Sequence, residues 1–326
     1  MRFATFNLES LDVTSGSGDT LLEERIDVLR PQLVRLDADV LCLQEVNGQH
    51  RRGAQYRTLD ALLALLAGTP YAGYNRAATT GPGGAGVADV HKLVTLSRWP
   101  IIEQRELRNT LLPPLKYKVM SACPPAPGPI DLVFDRAVLL STVRLSSGAE
   151  LSVFNVHLRA PLATPIPGQK EAPFVWKSVS GWAEGYFLSS LKRSAQALET
   201  RMMVDRLMLG DPHRLVIVAG DFNAGDHETP LKILVGAEED TGNGKLGGSS
   251  LAVLDRSIPE DRRFSVLHHA RPEMLDHILA SRSILAHFRA IEVHNETLCD
   301  ELVGYGKTRH VTASYHAPLV AEFSIS

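Results

Sequence analysis

The apolar run from Arg214 to Ala219 leads directly into Gly220-Asp221-Phe222-Asn223, and this junction constrains the fold more than any other part of the chain. An apolar run of this length is typical of a strand that is covered on both faces, as in the central sheets of α/β proteins. An Asx turn that closes the strand explains either Asp221 or Asn223, but it explains the pair less well. The sequence therefore predicts a buried strand with a functional site at its end.

Polar residues also lie at the ends of the other predicted strands. The segments from Arg2 to Leu8, from Val40 to Val46 and from Glu150 to Leu158 have strand-like patterns. The polar residues at strand ends are Asn7 and Glu9, Gln44 and Glu45, Asn155 and His157, Asp276 and His277, and Ser314-Tyr315-His316. Because sites of α/β proteins assemble at the ends of central strands, we expect these side chains to meet.

Helices are predicted between these strands. Apolar residues recur at helical spacing from Leu21 to Leu36, a second helix is predicted from Thr58 to Ala67, and a long third one from Ala183 to Leu209. Further strands are predicted at Lys92 to Ser97, Asp131 to Leu145, Asp276 to Ala280, His287 to His294 and Leu319 to Ile325. The chain therefore combines sheets and helices along its whole length.

Two proline-rich segments interrupt this pattern, near residues 109–130 and 160–182. Long loops on a rigid scaffold often carry function, but they are also tolerated as surface insertions without chemistry. The sequence leaves these two interpretations open.

Composition limits the class of protein. The chain has 326 residues, a formal net charge of -3 and three cysteines, Cys42, Cys123 and Cys299. The charge disfavours a role in coating nucleic acid, and three distant cysteines indicate neither a disulfide framework nor a CxxC metal site. The sequence predicts no secretory signal, no transmembrane segment and no obligate protein partner, and we expect a cytoplasmic protein.

Six short motifs resemble, in order, those of the endonuclease/exonuclease/phosphatase superfamily. They are Thr5-Phe6-Asn7, Leu43-Gln44-Glu45-Val46, Asn155-Val156-His157-Leu158, Gly220-Asp221-Phe222-Asn223, Leu275-Asp276-His277-Ile278 and Ser314-Tyr315-His316-Ala317-Pro318-Leu319. The superfamily includes pancreatic-type deoxyribonucleases, apurinic endonucleases, inositol polyphosphate 5-phosphatases and neutral sphingomyelinases. A single motif of this kind is a weak signal, whereas six in the same order are a strong one.

The resemblance implies an α/β (α+β) four-layer sandwich, in which two mixed β-sheets pack face to face and are flanked by helices. Length alone suggests about two domains. However, residues from Asn7 to His316 must meet in one site, and the resemblance therefore implies a single domain over 1–326.

The resemblance also implies a site for Mg²⁺ (or Mn²⁺). Glu45 is expected to be the principal ligand, with Asn7 beside it and Glu9 as a further acidic ligand. Hard cations of this kind prefer oxygen ligands.

The remaining motif residues are expected to perform catalysis. By resemblance, Asp221 deprotonates the attacking water and Asn223 holds the water or the phosphate. His316, oriented by Asp276, stabilises charge in the transition state, and His157 contacts the phosphate or protonates the leaving group.

Basic residues are expected at the rim of this site, and one family residue is replaced. Arg136 resembles a phosphate contact of relatives, although a surface ion pair with Asp135 explains it nearly as well; Arg159 is a second candidate for substrate binding. Relatives carry Ser-Asp-His in the last motif, and here Tyr315 replaces the aspartate. This change implies a weakened second metal site, a greater role for Glu45 and Glu9, or reduced activity.

The expected function is metal-dependent hydrolysis of a phosphodiester by in-line attack of water. A nuclease acting on DNA or RNA is the leading hypothesis. A phosphatase or phosphodiesterase acting on a small or lipid-linked phosphate is a second one. A catalytically weakened binding protein, suggested by Tyr315, is a third.

Overall fold

Two six-stranded sheets form the centre of the molecule. The computed structural model describes residues 1–13, 21–51, 53, 55–81, 86–87, 92–301 and 312–325. In spatial order, the first sheet consists of β17 (Phe288–Val293), β18 (Leu319–Phe323), β1 (Arg2–Leu11), β2 (Val40–Val46), β4 (Lys92–Ser97) and β3 (Asn75–Ala78). Its strands pair antiparallel except for the parallel pair β1 and β2, so the sheet is mixed.

The second sheet is also mixed. In spatial order it consists of β13 (Leu251–Val253), β16 (Asp276–Ser281), β12 (Leu215–Asp221), β9 (Glu150–His157), β8 (Val138–Arg144) and β5 (Ile101–Leu107). Here β9 and β12 are parallel and the other pairs are antiparallel.

Helices and short hairpins complete the fold. The helices are α1 (Leu22–Leu36), α2 (Asp60–Leu66), α3 (Val179–Gly210), α4 (Thr229–Val235), α5 (Glu238–Thr241) and α6 (Arg282–Leu285). The two-stranded pairs are β6 (Leu115–Tyr117) with β7 (Ile130–Leu132), β10 (Lys170–Ala172) with β11 (Val175–Trp176), and β14 (Val266–His268) with β15 (Arg271–Glu273). In the described part of the chain, no helix is long and apolar enough to cross a membrane.

Three buried clusters order these elements into four layers. Cys42 of β2 packs in one cluster with Ile217 of β12, which places this core between the two sheets. On the opposite face of β2, Leu41 packs with Leu33 of α1. On the opposite face of β12, Val218 packs with Val204 of α3. Successive residues of a strand point to opposite faces, and both sheets are therefore covered on both sides, as predicted.

The predicted strands at Val40 to Val46 and Lys92 to Ser97 match the structure residue for residue. The single strand predicted from Asp131 to Leu145 is wrong, because β7 ends at Leu132 and β8 begins at Val138. Between them, the Phe134 amide donates to Oδ1 of Asn109 at 2.9 Å instead of to a neighbouring strand. A side chain that satisfies the backbone in this way interrupts the strand.

Candidate active site

The site lies at one edge of the sandwich, where ends of both sheets meet. The parallel strands β1 and β2 carry Asn7 and Glu45 towards this edge, and the parallel strands β9 and β12 carry His157 and Asp221 there. Strand β16 runs the other way and begins at Asp276, which pairs directly with Asp221. The sheet register therefore brings five predicted site residues to one edge.

Two irregular strand segments carry the acidic residues of the first sheet. The pairing of β1 with β2 shifts between Asn7 and Leu11, and that of β2 with β4 shifts between Leu43 and Val46. Glu9, Ser10 and Glu45 adopt φ angles of 51°, 52° and 56°. The left-handed region is strained for such residues, and strain of this kind concentrates at functional sites.

Arg25 supports the irregular segment of β1 from behind. It is a buried residue of α1, and its guanidinium donates to the carbonyls of Leu8 at 2.6 Å and Ser10 at 3.2 Å. Burial lowers the pKa of Arg25, while the nearby carboxylates of Glu9 and Glu45 raise it in part. Arg25 was not predicted as a functional residue. The available signal was a charged residue on the apolar face of the predicted helix, at i+3 from Leu22 and i−4 from Leu29.

Asp221 is the central carboxylate of the site and is 1% exposed. Its Oδ2 accepts from the amides of Asn7 and Asn223, both at 3.1 Å, and its Oδ1 accepts from the backbone N–H of Asn223 at 2.8 Å. Burial raises the pKa of Asp221 to about 7, against the opposing effect of His316. The preceding Gly220 has φ +141°, and an added Cβ would overlap the carbonyl oxygen of Val156.

His157 stands between two carboxylates. Its Nε2 lies 3.3 Å from Oδ2 of Asp221 and 3.6 Å from Oε1 of Glu45. The other oxygen of Glu45 accepts from the backbone N–H and the hydroxyl of Ser10, both at 2.9 Å. These contacts bring the predicted metal ligand Glu45 into the same cluster as the predicted catalytic residues.

His316 and Asp276 form a close pair across the site. Nδ1 of His316 lies 2.7 Å from Oδ2 of Asp276, and Nε2 lies 4.0 Å from Oδ2 of Asp221. Burial by itself would lower the pKa of His316, but the carboxylates of Asp276 and Asp221 outweigh burial and raise this pKa well above its ordinary value. A proton held on this imidazole partly offsets the negative charge of the cluster.

Gln44 and Asn155 connect the two sheets beneath the site. Nε2 of Gln44 donates to Oδ1 of Asn155 at 2.8 Å and to the Thr5 hydroxyl at 3.0 Å. Nδ2 of Asn155 donates to the carbonyls of Leu43 and Val94. Fully buried polar groups need such partners, so these two motif residues fix the spacing of the sheets on which the site depends.

His277 points away from the site, because neighbouring strand residues face opposite sides and Asp276 faces the site. Nδ1 of His277 lies 3.0 Å from Oδ2 of Asp255, and Nε2 lies 2.9 Å from the carbonyl oxygen of Ala224. Burial would lower the pKa of His277, but the Asp255 carboxylate raises it. The buried pair secures the loop that follows β12, and Asp255 was not predicted from the sequence.

The two predicted substrate-binding arginines lie at one side of the site. NH1 of Arg136 donates to the carbonyl of Leu158 at 3.2 Å, and burial lowers its pKa while Glu45 and Asp221 raise it. NH1 of Arg159 lies 3.4 Å from Oδ2 of Asp135, whose other oxygen is 2.9 Å from Nζ of Lys192. Asp135 therefore pairs with Arg159 and Lys192, and Arg136 lies near the carboxylates of Glu45 and Asp221.

The donor atoms at the site suit a hard divalent cation. Ligand atoms of Asp221, Asp276 and His316 all lie within 4.8 Å of one another. Among the described residues, Oδ1 of Asp276 is buried without a hydrogen-bond partner. The predicted ligands Asn7 and Glu9 are joined by a 2.9 Å bond from the Glu9 amide to Oδ1 of Asn7. Carboxylate and amide oxygens are the ligands that Mg²⁺ and Mn²⁺ prefer.

Tyr315 lies beside Glu9 and is buried. Burial raises the pKa of the phenol, and the nearby Glu9 carboxylate raises it further. Its neighbour Ser314 donates to the Asn7 carbonyl at 2.7 Å and accepts from the His316 amide at 3.0 Å. The last motif is thus attached to the end of β1, with an aromatic residue next to the acidic residue Glu9.

A comparison with sequence profiles identifies the family. The profile of the Endonuclease/Exonuclease/phosphatase family matches residues 4–316. The chain belongs to this family. Its members are metal-dependent phosphoesterases, and the chain is accordingly a phosphoester hydrolase of this type. A search of curated protein sequences found no match.

Solved structures agree with the family assignment at the level of the fold. An endonuclease/exonuclease/phosphatase from Bacteroides vulgatus is similar with a TM-score of 0.57 and 13% identity, over 100% of this chain and 98% of that one. An AP endonuclease from Archaeoglobus fulgidus has a TM-score of 0.52 and 13% identity, over 100% of both chains. The 3′ phosphatase NExo from Neisseria, bound to product DNA hairpin, has a TM-score of 0.54 and 17% identity, over 99% of both chains.

Proposed function

We propose that this protein hydrolyses a phosphodiester in the presence of Mg²⁺ or Mn²⁺, by in-line attack of water at the edge where the two sheets meet. The observation that carries this proposal is the cluster around Asp221, in which the carboxylate lies 3.3 Å from Nε2 of His157 and 4.0 Å from Nε2 of His316. A buried base between two imidazoles suits proton transfer beside an anionic phosphate.

Asp221 is the proposed general base. Burial raises its pKa to about 7, which brings a carboxylate close to the pH at which a base works best. The amides of Asn7 and Asn223 hold its Oδ2, so the carboxylate keeps one orientation while it accepts the proton of the attacking water. Asn223 also holds the Leu158 carbonyl at 3.1 Å, which fixes its own position.

The two histidines are proposed to act on the phosphate. His316 is held by Asp276 and keeps a proton, so it can donate to a phosphate oxygen as charge develops there. His157 lies between Asp221 and Glu45, where it can contact the phosphate or protonate the leaving oxygen.

We propose Glu45, Asn7 and Glu9 as the metal ligands. A divalent cation bound there would polarise a phosphate oxygen and stabilise the leaving oxygen. Tyr315 brings no negative charge where relatives carry an aspartate, so Glu45 and Glu9 supply the negative charge in the proposed metal site.

The proposal is tested by hydrolysis of bis-4-nitrophenyl phosphate, 4-nitrophenyl phosphate and plasmid DNA with Mg²⁺, Mn²⁺ or EDTA. Replacing Asp221 by Asn removes the base but keeps the size of the side chain, so kcat is expected to fall by roughly 10²–10⁴. A thermal melt should show that Asp221→Asn is folded. A variant that retained the wild-type rate would refute the role of Asp221.

The choice of substrate is a second step of the proposal. A nucleic acid is supported by the DNA hairpin bound to the similar Neisseria phosphatase and by the basic side chains of Arg136, Arg159 and Lys192. A phosphodiester with a small or lipid-linked group is supported by an apolar cavity that has Lys192 in its lining. We further propose a cytoplasmic location.

A further inference from the structure

A cavity of about 800 Å³ lies between the two proline-rich segments and α3. Its lining includes Val119, Ile130, Leu132, Ile166 and Leu188, and its charged residues are Asp131 and Lys192. Ligand pockets have volumes of roughly 300–1,000 Å³ and mainly apolar linings. A second cavity, of about 710 Å³, is lined by residues near the other end of α3 and by none of the site residues.

The walls of the first cavity are fastened to each other. The Cys123 amide donates to the Pro167 carbonyl at 3.0 Å, which joins the two proline-rich segments. Gly168, at φ +73°, passes so close to Cys123 that an added Cβ would overlap its carbonyl oxygen. The Thr164 amide donates to the Gly185 carbonyl of α3 at 2.9 Å. Because its walls are hydrogen-bonded to each other, the cavity is preformed, which reduces the entropic cost of binding a ligand.

Glu184 of α3 fixes the first proline-rich segment, near residues 109–130. Its carboxylate accepts from the backbone amides of Met120 at 2.6 Å and Ser121 at 2.7 Å, and from the Tyr117 hydroxyl at 3.0 Å. The effect of these donors exceeds that of burial and lowers the pKa of Glu184, so the carboxylate is charged at neutral pH. Hydrogen bonds to α3 and between the two proline-rich segments therefore hold these segments in place, so they are not loosely attached surface insertions.

A chain of contacts leads from the cavity towards the active site, and it begins at Lys192. This residue lines the cavity, and its Nζ lies 2.9 Å from Oδ1 of Asp135. The other oxygen of Asp135 lies 3.4 Å from NH1 of Arg159. Arg159 directly follows Leu158, whose carbonyl accepts from Asn223 at 3.1 Å. These contacts place the cavity on the side of the active site where Arg159 and Lys192 lie.

We propose that this cavity binds an apolar substituent of the phosphodiester substrate, so that the natural substrate carries a hydrocarbon group next to the scissile phosphate. This inference rests on the proposed function. The chemistry of the lining favours hydrocarbon over a nucleobase, because base edges carry several hydrogen-bonding groups. Six of the lining residues are prolines, which have no backbone N–H to donate.

The test compares 4-nitrophenyl esters of methyl, butyl and octyl phosphate, which share one leaving group. Each methylene that leaves water is worth about fourfold in binding. We therefore expect kcat/KM for the octyl ester to exceed that for the methyl ester by at least about a hundredfold. Equal values for the three esters would overturn the inference and leave the proposed function standing, provided that Asp221→Asn abolishes all three activities.

A matched pair of variants tests whether the preference for the octyl ester arises in the cavity. Ile130 lines the cavity and is 48% exposed, whereas Ile102 of β5 is 39% exposed and lies outside it. Ile130→Gln is expected to lower kcat/KM for the octyl ester by roughly tenfold and to leave the methyl ester unchanged. Ile102→Gln should change neither. Ala126→Trp, which fills the cavity from a partly exposed position, should bring the octyl ester down to the methyl value.

Binding measurements test the cavity independently of catalytic turnover. If no ester is cleaved, the proposed function fails, and calorimetry with octyl phosphate and methyl phosphate still tests the cavity. Tighter binding of octyl phosphate by wild type, lost in Ile130→Gln, would support the inference; equal binding would overturn it. A DNA oligonucleotide cleaved faster than the octyl ester, with no effect of Ile130→Gln on either substrate, would also overturn it.

The source of the hydrocarbon is tested with two 4-nitrophenyl esters that differ in chain length and in how they are presented. The octyl ester is offered free in solution, and a hexadecyl ester is offered in phosphatidylcholine vesicles. Cleavage of the free ester alone supports a soluble substrate, and cleavage of both supports a membrane lipid. Cleavage of the vesicle ester that is insensitive to Ile130→Gln and Ala126→Trp would overturn the cavity as the binding site.

Discussion

At the scale of single residues, the site depends on where protons reside among close carboxylates and imidazoles. Asp221 and Asp276 are both buried, and opposite charge is needed nearby to keep them ionised. His316 supplies it, because its two nitrogens face Asp276 at 2.7 Å and Asp221 at 4.0 Å. The same carboxylates raise the pKa of His316 well above its ordinary value. One proton is thereby kept where a phosphate anion is expected to bind.

The pH dependence of activity tests this arrangement. Replacing Asp276 by Asn removes the carboxylate that contributes most to raising the pKa of His316, so this pKa falls. The alkaline limb of kcat/KM, which marks loss of the His316 proton, is then expected to move to lower pH. The measurement is a rate profile from about pH 5.5 to pH 10 for wild type and variant. Asp226→Asn, whose carboxylate pairs with Arg256, is the control and should keep the wild-type limb. An unmoved limb in Asp276→Asn would contradict the assignment.

At the scale of secondary-structure elements, helix α1 is expected to stabilise the irregular end of β1. Arg25→Met leaves the carbonyls of Leu8 and Ser10 without their charged donor, and we expect a loss of about 2–4 kcal/mol in the free energy of unfolding. Arg35→Met on the same helix is the control. Arg35 is exposed and paired with Glu296, so its loss should cost less than about 1 kcal/mol. Urea unfolding of both variants measures the difference, and equal losses would refute the role of Arg25.

The pair of His277 and Asp255, which secures the loop after β12, is expected to make the free energy of unfolding depend on pH. His277 has a raised pKa in the folded protein, because its interactions with Asp255 outweigh burial. Its contribution to stability is therefore complete below the unfolded pKa of about 6.5 and is lost as the pH rises through the folded pKa. We expect the stability difference between wild type and His277→Gln to shrink from pH 6 to about pH 9 in urea unfolding. A difference that stays constant would show that folding does not shift the pKa of His277, and one that grows with pH would show that folding lowers it; either result would contradict the prediction.

The elements differ in how far the sequence predicts them. The strands Val40–Val46 and Lys92–Ser97 were predicted in full, because apolar residues on both faces mark a buried strand. The left-handed turns at Glu9 and Glu45 were not predicted, because they depend on Arg25 and on pairing with other strands. The cavity between the proline-rich segments was likewise not predictable. It depends on Glu184 accepting amides from a segment far away in sequence.

At the scale of the whole molecule, the sequence predicts the residues of the candidate site better than the hydrogen bonds that hold them in place. Asp221, His157, Asp276 and His316 carry local motifs, and the structure brings them together. Asp255 and the link from Gln44 to Asn155 have no local signal of their contacts, because each bond joins strands or loops that are distant in sequence. The roles assigned to these residues remain proposals for the experiments above.

We propose that residues 1–326 form a single domain. The strand β18 pairs with β1, and the core between the sheets contains both Phe3 and Phe323. Because each sheet covers the other, neither should be stable alone, and urea unfolding is expected to be one cooperative transition. Trp99 packs against the core between the sheets, whereas Trp176 packs against the cluster beside the cavity. We expect single-tryptophan variants that keep one or the other to unfold at the same urea concentration as the circular dichroism signal. An earlier transition at Trp176 would mean that the cavity unfolds separately, which contradicts one cooperative domain.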